Sequence, residues 1–120
     1  MSESILVAKS RSFALRIVRL YRFLRGKKES VLSRQILRSG TSVGANIAEG
    51  KFAQSRNDFV HKYGIALKEA SETMYWLDLL HDAGYLPDGA SAMSIRADCE
   101  ELVRLLAASI KTARERGMTR

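Results

Sequence analysis

Cysteine and proline each occur once, as Cys99 and Pro87, in a chain of 120 residues. A lone cysteine has no internal disulfide partner, which excludes a disulfide-stapled scaffold and points to a reducing compartment. One proline and eight glycines against 46% hydrophobic residues favour long uninterrupted elements over a loop-rich fold. Long hydrophobic runs are also missing. None approaches the ~18 uncharged residues that a membrane span needs. Across residues 1–28 basic side chains interrupt the apolar ones every three or four positions, so no signal-peptide core forms. The expectation is one cytoplasmic domain over residues 1–120, with no membrane association, large enough to bury a core without disulfides or metals.

Acidic residues are scarce in the first third. Residues 1–38 hold ten Lys/Arg against Glu3 and Glu29, a balance of +8, while the remaining residues balance at −1. A block of this kind attracts phosphates or an acidic partner surface.

The apolar residues that are present recur with a helical period. In a first helix over about residues 3–25, ending near Gly26, Leu6, Phe13, Ile17, Leu20, Tyr21 and Leu24 fall on one arc about 100° wide. Arg11, Arg16, Arg19, Arg22 and Arg25 lie outside it, but so do Leu15, Val18 and Phe23, which makes those three candidates for an interface. A second helix over about 30–50 turns Leu32, Ile36, Val43 and Ile47 inward. Ser55 followed by Asp58 is an N-cap signal for a third, over about 56–83, with Phe59, Tyr63, Ala66, Leu67, Ala70, Met74, Leu77 and Leu80 on its core side. Ala83–Gly84 suits its C-cap. After "YLPDG", a fourth helix over about 90–116 carries Ile95, Cys99, Leu102, Leu106, Ile110 and Ala113. Four helices with short connections predict an all-α fold, an antiparallel up-and-down four-helix bundle.

The stretch "RSGTSVGANIAEGK", residues 38–51, admits two readings. A phosphate loop needs G-x-x-x-x-G-K-[ST] after a strand. Here five residues separate Gly44 from Gly50, Phe52 stands where the hydroxyl belongs, and no strand precedes. The alternative is a helix thinned at Gly40 and Gly44, four apart on one face, for close approach of a neighbouring helix or subunit. Glycine inside a helix costs about 1 kcal/mol relative to alanine, so two of them need a packing reason. Asn46 and Glu49, the polar residues of this run, read as a hydrogen-bonded network with a neighbouring helix or loop if buried.

Enzymatic chemistry finds no constellation. Asp58-x-x-His61 and Asp78-x-x-His81 imitate di-iron pairs, but both sit on one helix about 30 Å apart. Cys99 lies on a core stripe as a small hydrophobe. Glu69 and Glu72 form either an acid pair or, more commonly, ion pairs with arginines of the first two helices. Tyr75 and Trp76 point about 100° apart. Either one of them lies on the flank, where a tryptophan often anchors an interface, or a broad core takes both. No enzyme activity, cofactor or metal is expected.

The run "QILRSGTSVGANIAEGKFAQSRNDFVHKYGIALKEASETMYWLDLL" resembles the signature of the 23S rRNA intervening-sequence protein family, the small bacterial four helix bundle proteins. The resemblance rests on Gln35, Arg38-Ser39, Ser42-Val43, the run Asn46-Ile47-Ala48-Glu49-Gly50, Phe59, Ala66, Lys68-Glu69-Ala70, Glu72 and Trp76-Leu77. It extends over the chain in helix order, although the arginine-rich first helix matches only in pattern and lacks a proline near its first turn. The resemblance implies a four-helix bundle and a homo-oligomer, cyclic homopentamers being known in the family. Some members are encoded in insertions within large-subunit rRNA genes. A related branch, the accessory proteins of diversity-generating retroelements, engages nucleic acid and a reverse transcriptase. No catalytic residues come with the family.

Two functions fit these residues. In the first, Arg11, Arg16, Arg19, Arg22, Arg25, Lys27 and Lys28 contact the phosphates of RNA or DNA, and the scarcity of stacking aromatics favours duplex or structured RNA. In the second, the basic helix pairs with the acidic stretch of a neighbouring subunit, and the ring acts through a protein partner. Residues 71–100 hold Glu72, Asp78, Asp82, Asp88, Asp98 and Glu100 against Arg96 alone.

Overall fold

Apolar stripes with a 3.6-residue period must be buried against another element, and four such helices close on one another here. In the computed structural model, which describes residues 2–86 and 89–118, with side chains from 5 to 117, the order is α1 (Ser2–Gly26), α2 (Leu32–Gly50), α3 (Arg56–Asp82) and α4 (Ala90–Met118). Packing joins α1 to α2, α2 to α3, α3 to α4 and α4 back to α1. Among the described residues the backbones of the diagonal pairs α1–α3 and α2–α4 stay more than 8 Å apart, so the bundle is square in section, 53 Å long and 20–22 Å across. Asp88 of the acidic stretch lies outside the described residues.

The core follows the predicted stripes. Leu6, Phe13, Ile17 and Leu24 of α1, Ile36, Val43 and Ile47 of α2, Tyr63, Ala66, Ala70, Leu77 and Leu80 of α3, and Ile95, Cys99, Leu102, Leu106 and Ile110 of α4 are all buried. Leu20, Tyr21, Leu32, Phe59, Leu67, Met74 and Ala113 are half-buried at the edges. Ser10, Ser33, Ser39 and Thr73 are buried as well. Each hydroxyl is satisfied within the fold. Ser39 and Thr73 share a hydrogen bond of 2.9 Å between α2 and α3, and Thr73 also bonds the Glu69 carbonyl at 2.7 Å.

The thinned face of α2 is consumed inside the chain, which decides between a neighbouring helix and a neighbouring subunit. A Cβ at Gly40 would lie 2.8 Å from the Ile17 side chain, and one at Gly44 would lie 3.4 Å from the Ser10 carbonyl, both on α1. At Gly50 the neighbour is the ring of Tyr63 on α3, at 2.7 Å. Asn46 bonds the Ser42 carbonyl of its own helix at 2.9 Å instead of reaching a neighbour. Glu49 is exposed and pairs with Lys62 of α3 at 2.7 Å.

Helix ends explain the small shifts in boundary. α1 runs through Gly26, and the left-handed residue is Lys28 (φ +64°), with Lys28 N–H donating to the Arg25 carbonyl and Glu29 N–H to the Leu24 carbonyl. The Glu29 carboxylate then folds over the start of α2 and accepts the amides of Val31, Leu32 and Ser33 at 2.6–3.1 Å. Ser30 and Val31 are used up in that cap, so α2 starts at Leu32. Burial alone would raise the pKa of Glu29, but the bonds from Leu32, Ser33 and Val31 outweigh it and hold the carboxyl below its ordinary value. α3 is capped as expected, Ser55 Oγ accepting from Asp58 N–H at 3.0 Å, and it ends in a glycine turn at Gly84 (φ +84°).

Two substitutions test this account. Replacing Gly50 with Ala drives a methyl into the buried Tyr63 ring and should cost about 1–3 kcal/mol in chemical denaturation. Lys28→Gly relieves the left-handed strain and should stabilise the fold by about 0.5–1 kcal/mol.

Candidate nucleic-acid interface

The face of α1 opposite its core stripe carries Arg11, Leu15, Val18, Arg22 and Arg25 at steps of three and four, which places them on one ridge. All five are exposed, Leu15 at 45% and Val18 at 38%. Arg19 lies beside the ridge on the α4 side, where it borders an apolar depression of about 310 Å³ with Leu20, Phe23, Leu86 and Ile95. Phe23 is 43% exposed, and Lys27 Nζ stands 5.5 Å from its ring centroid. Arg25 donates to the Tyr21 hydroxyl at 2.7 Å. Lys28 is exposed at the same end.

Arg16 is separate from this group. Its guanidinium donates to Asp98 Oδ2 at 2.6 Å, to Ser94 Oγ at 3.0 Å and to the Ser91 carbonyl at 3.4 Å, which ties α1 to α4. Lys9 makes a similar tie to Glu101 at 3.1 Å. Among the described residues Arg11, Arg19 and Arg22 form no salt bridge. Among the described residues the cations left without a carboxylate partner are therefore Arg11, Arg19, Arg22 and Arg25 of α1, with Lys27 and Lys28 just beyond its end.

The acidic stretch is mostly engaged within its own chain. Asp78 pairs with Arg96 at 2.7 Å, Glu100 with Arg96 and Arg104, Asp98 with Arg16, and Asp82 lies 3.4 Å from His81. Glu72 belongs to a cluster that collects the motif residues of α2 and α3. Arg38 Nη1 donates to both oxygens of Glu69 at 3.2 Å, while Arg38 Nη2 and Trp76 Nε1 (2.9 Å) both donate to Glu72 Oε2. Glu69 and Glu72 thus meet an arginine of the second helix. Trp76 is half-buried against the core, and Tyr75 is the exposed member of the pair at 60%. Gln35 stays exposed one turn before Arg38.

The bond from Trp76, with that from Arg38, holds the Glu72 carboxyl below the ordinary carboxylate range, and the bond to Glu72 raises Arg38 in return. Burial pushes the Cys99 thiol up to about 12 while its Sγ donates to the Ala70 carbonyl at 3.3 Å, so Cys99 is a packing residue and not a nucleophile. His61 and His81 lie on the surface near opposite ends of α3. Charge counted by sequence block misses a second set of cations, Lys68 on α3 with Lys111 and Arg114 on α4, all exposed. Their signals in the sequence are helical spacing within two separate helices and, for Lys111 and Arg114, a last stretch in which Glu115 is the single acid after Glu101.

The family described as 23S rRNA-intervening sequence protein matches residues 2–108. A solved structure from Bacteroides thetaiotaomicron, described as a protein with unknown function from the S23 ribosomal protein family, is 52% identical to this chain. The similarity covers 92% of this chain and 99% of that one, with a TM-score of 0.89. No curated protein matches this chain. Among the described residues no helix is long and apolar enough to cross a membrane.

Glu72→Gln should lower stability at neutral pH by about 1 kcal/mol, since bonds to charged groups are worth ~1.5–3 kcal/mol and solvent trims a partly exposed cluster. The folded-state pKa is depressed, so the carboxylate's contribution is full above its unfolded value and is lost as pH falls through the folded one. The gap between wild type and variant should therefore close in acid, as measured by denaturation across a pH series.

Proposed function

This chain belongs to the 23S rRNA-intervening sequence protein family, and from that premise we propose that it is a non-enzymatic, self-associating bundle that binds RNA or DNA. The contacts are to phosphates and are made by the outer ridge and C-terminal end of α1. The observation that carries this reading is the partition of charge. Carboxylates of the chain engage Lys9, Arg16, Arg38, Lys62, Arg96 and Arg104, and of the cations left without acid partners among the described residues Arg11, Arg19, Arg22, Arg25, Lys27 and Lys28 gather on this face and end of α1. Cations on one face with no internal partner gain most from a polyanion, because each phosphate contact releases condensed counterions.

Leu15, Val18 and Phe23 are the apolar members of the same surface, at 38–45% exposure, and they support self-association. Assembly, as the homopentamer that the family resemblance implies, repeats the basic ridge once per subunit and multiplies phosphate contacts. With Phe23 the single exposed aromatic side chain of this face, duplex or structured RNA suits it better than single strands. The rival reading, in which α1 pairs with a neighbour's acidic stretch, has weaker support because Glu72, Asp78, Asp98 and Glu100 already have partners in their own chain.

A polarisation titration of a labelled rRNA hairpin across a salt series tests the proposal. Affinity should fall steeply with salt, and Arg11→Glu/Arg19→Glu/Arg22→Glu should weaken binding at least about tenfold and flatten the slope. Unchanged affinity in the intact oligomer of that variant would overturn it.

A further inference from the structure

We propose that the groove between α3 and α4 is a second phosphate-contact surface, so that one copy of the protein bridges two nucleic-acid segments. The inference rests on the reading that α1 binds phosphates and adds a surface that this reading does not use. On α3, His61, Gly64 and Lys68 follow one another at i, i+3 and i+7, and on α4 Ala107, Lys111 and Arg114 follow at i, i+4 and i+7. Between them run two adjoining depressions of about 500 Å³ each, which share Gly64 and Arg114. A Cβ at Gly64 would meet nothing within 4 Å, so the groove is open above the α3 backbone.

Three cations, Lys68, Lys111 and Arg114, stand along a lining that also holds Val60, Leu67 and Ile110. Among the described residues none of Lys68, Lys111 and Arg114 forms a salt bridge, Glu72 acting on Lys68 only at a distance. Glu115 is, among the described residues, the one carboxylate lining the two depressions. No Phe, Tyr or Trp lines them among the described residues and His61 is their one ring, so the groove offers charge and shape but little platform for a base. That chemistry fits the sugar-phosphate backbone of a duplex, which is read without regard to sequence.

Placement makes this second surface a bridging one. α3 lies diagonally across the bundle from α1, so the groove opens away from the α1 ridge. The bundle is 20–22 Å thick, well over twice the ~8 Å Debye length at physiological ionic strength. Two polyanions held on these surfaces are screened from each other while each meets its own cations.

The test mixes donor-labelled and acceptor-labelled copies of an RNA duplex with the protein and reads energy transfer between them beside single-duplex affinity. Wild type should bring the duplexes together. Lys68→Ala/Lys111→Ala/Arg114→Ala should keep single-duplex affinity within about threefold, since the α1 contacts remain, and lose energy transfer by about tenfold. Transfer that persists in this variant, or wild-type binding without transfer, overturns the bridge and leaves the α1 surface standing. A parallel run with the Arg11/Arg19/Arg22 glutamate variant separates the two readings, because the groove alone should still hold one duplex weakly. Wild type that binds no duplex overturns both.

Discussion

At Gly40 an added Cβ would lie 2.8 Å from Ile17, and at Gly50 it would lie 2.7 Å from Tyr63, so α2 stands closer to both of its neighbours than a side chain would permit. Much of the remaining architecture depends on that approach. It brings Ser39 within 2.9 Å of Thr73 and lets the short polar pair replace what would otherwise be a void between two helices. It sets Arg38 against Glu69 and Glu72, and through Glu72 it fixes the indole of Trp76. On the other side it pins α1 by its Ser10–Ile17 stretch, which turns the arginine ridge outward. The basic surface is thus positioned by glycines on a helix that contributes none of its charges.

Most of the fold was legible in the sequence because burial in a bundle follows a single period. Leu6, Phe13, Ile17 and Leu24 can be placed by counting, and so can Ile95, Cys99, Leu102 and Leu106. The packing role of Gly40 and Gly44 was legible too, since glycine inside a helix is unfavourable without a reason. The identity of the element packed there was not, because a helix and a subunit make the same demand on the sequence. Lys28 as the left-handed residue after α1, and Glu29 as the cap of α2, were hidden for a different reason. Both depend on the path of three or four backbone atoms rather than on residue type.

The candidate interface was legible only in part. The exposed ridge of Arg11 and Arg22 follows from the stripe on α1, but the loss of Arg16 to Asp98 depends on a side chain 82 positions away and on the order of packing around the square. Lys68, Lys111 and Arg114 share the limitation. Lys68 stands beside Glu69 and Glu72 in the linear sequence while Lys111 and Arg114 lie more than 40 positions on, and only the antiparallel pairing of α3 with α4 puts them along one groove. Pairwise electrostatics between helices is a property of topology, which a charge count by segment averages away.

Cys99 has a consequence of another kind. Its thiol is wholly buried, bonded to the Ala70 carbonyl and held far from ionisation, so the nucleophilic thiolate is absent while α3 and α4 remain packed. Because it is the single cysteine of the chain, any alkylation by a thiol reagent records one kind of event, an opening of the core that uncovers α4. The bundle therefore carries its own clock for opening, placed beneath the helix pair that forms the second cationic groove.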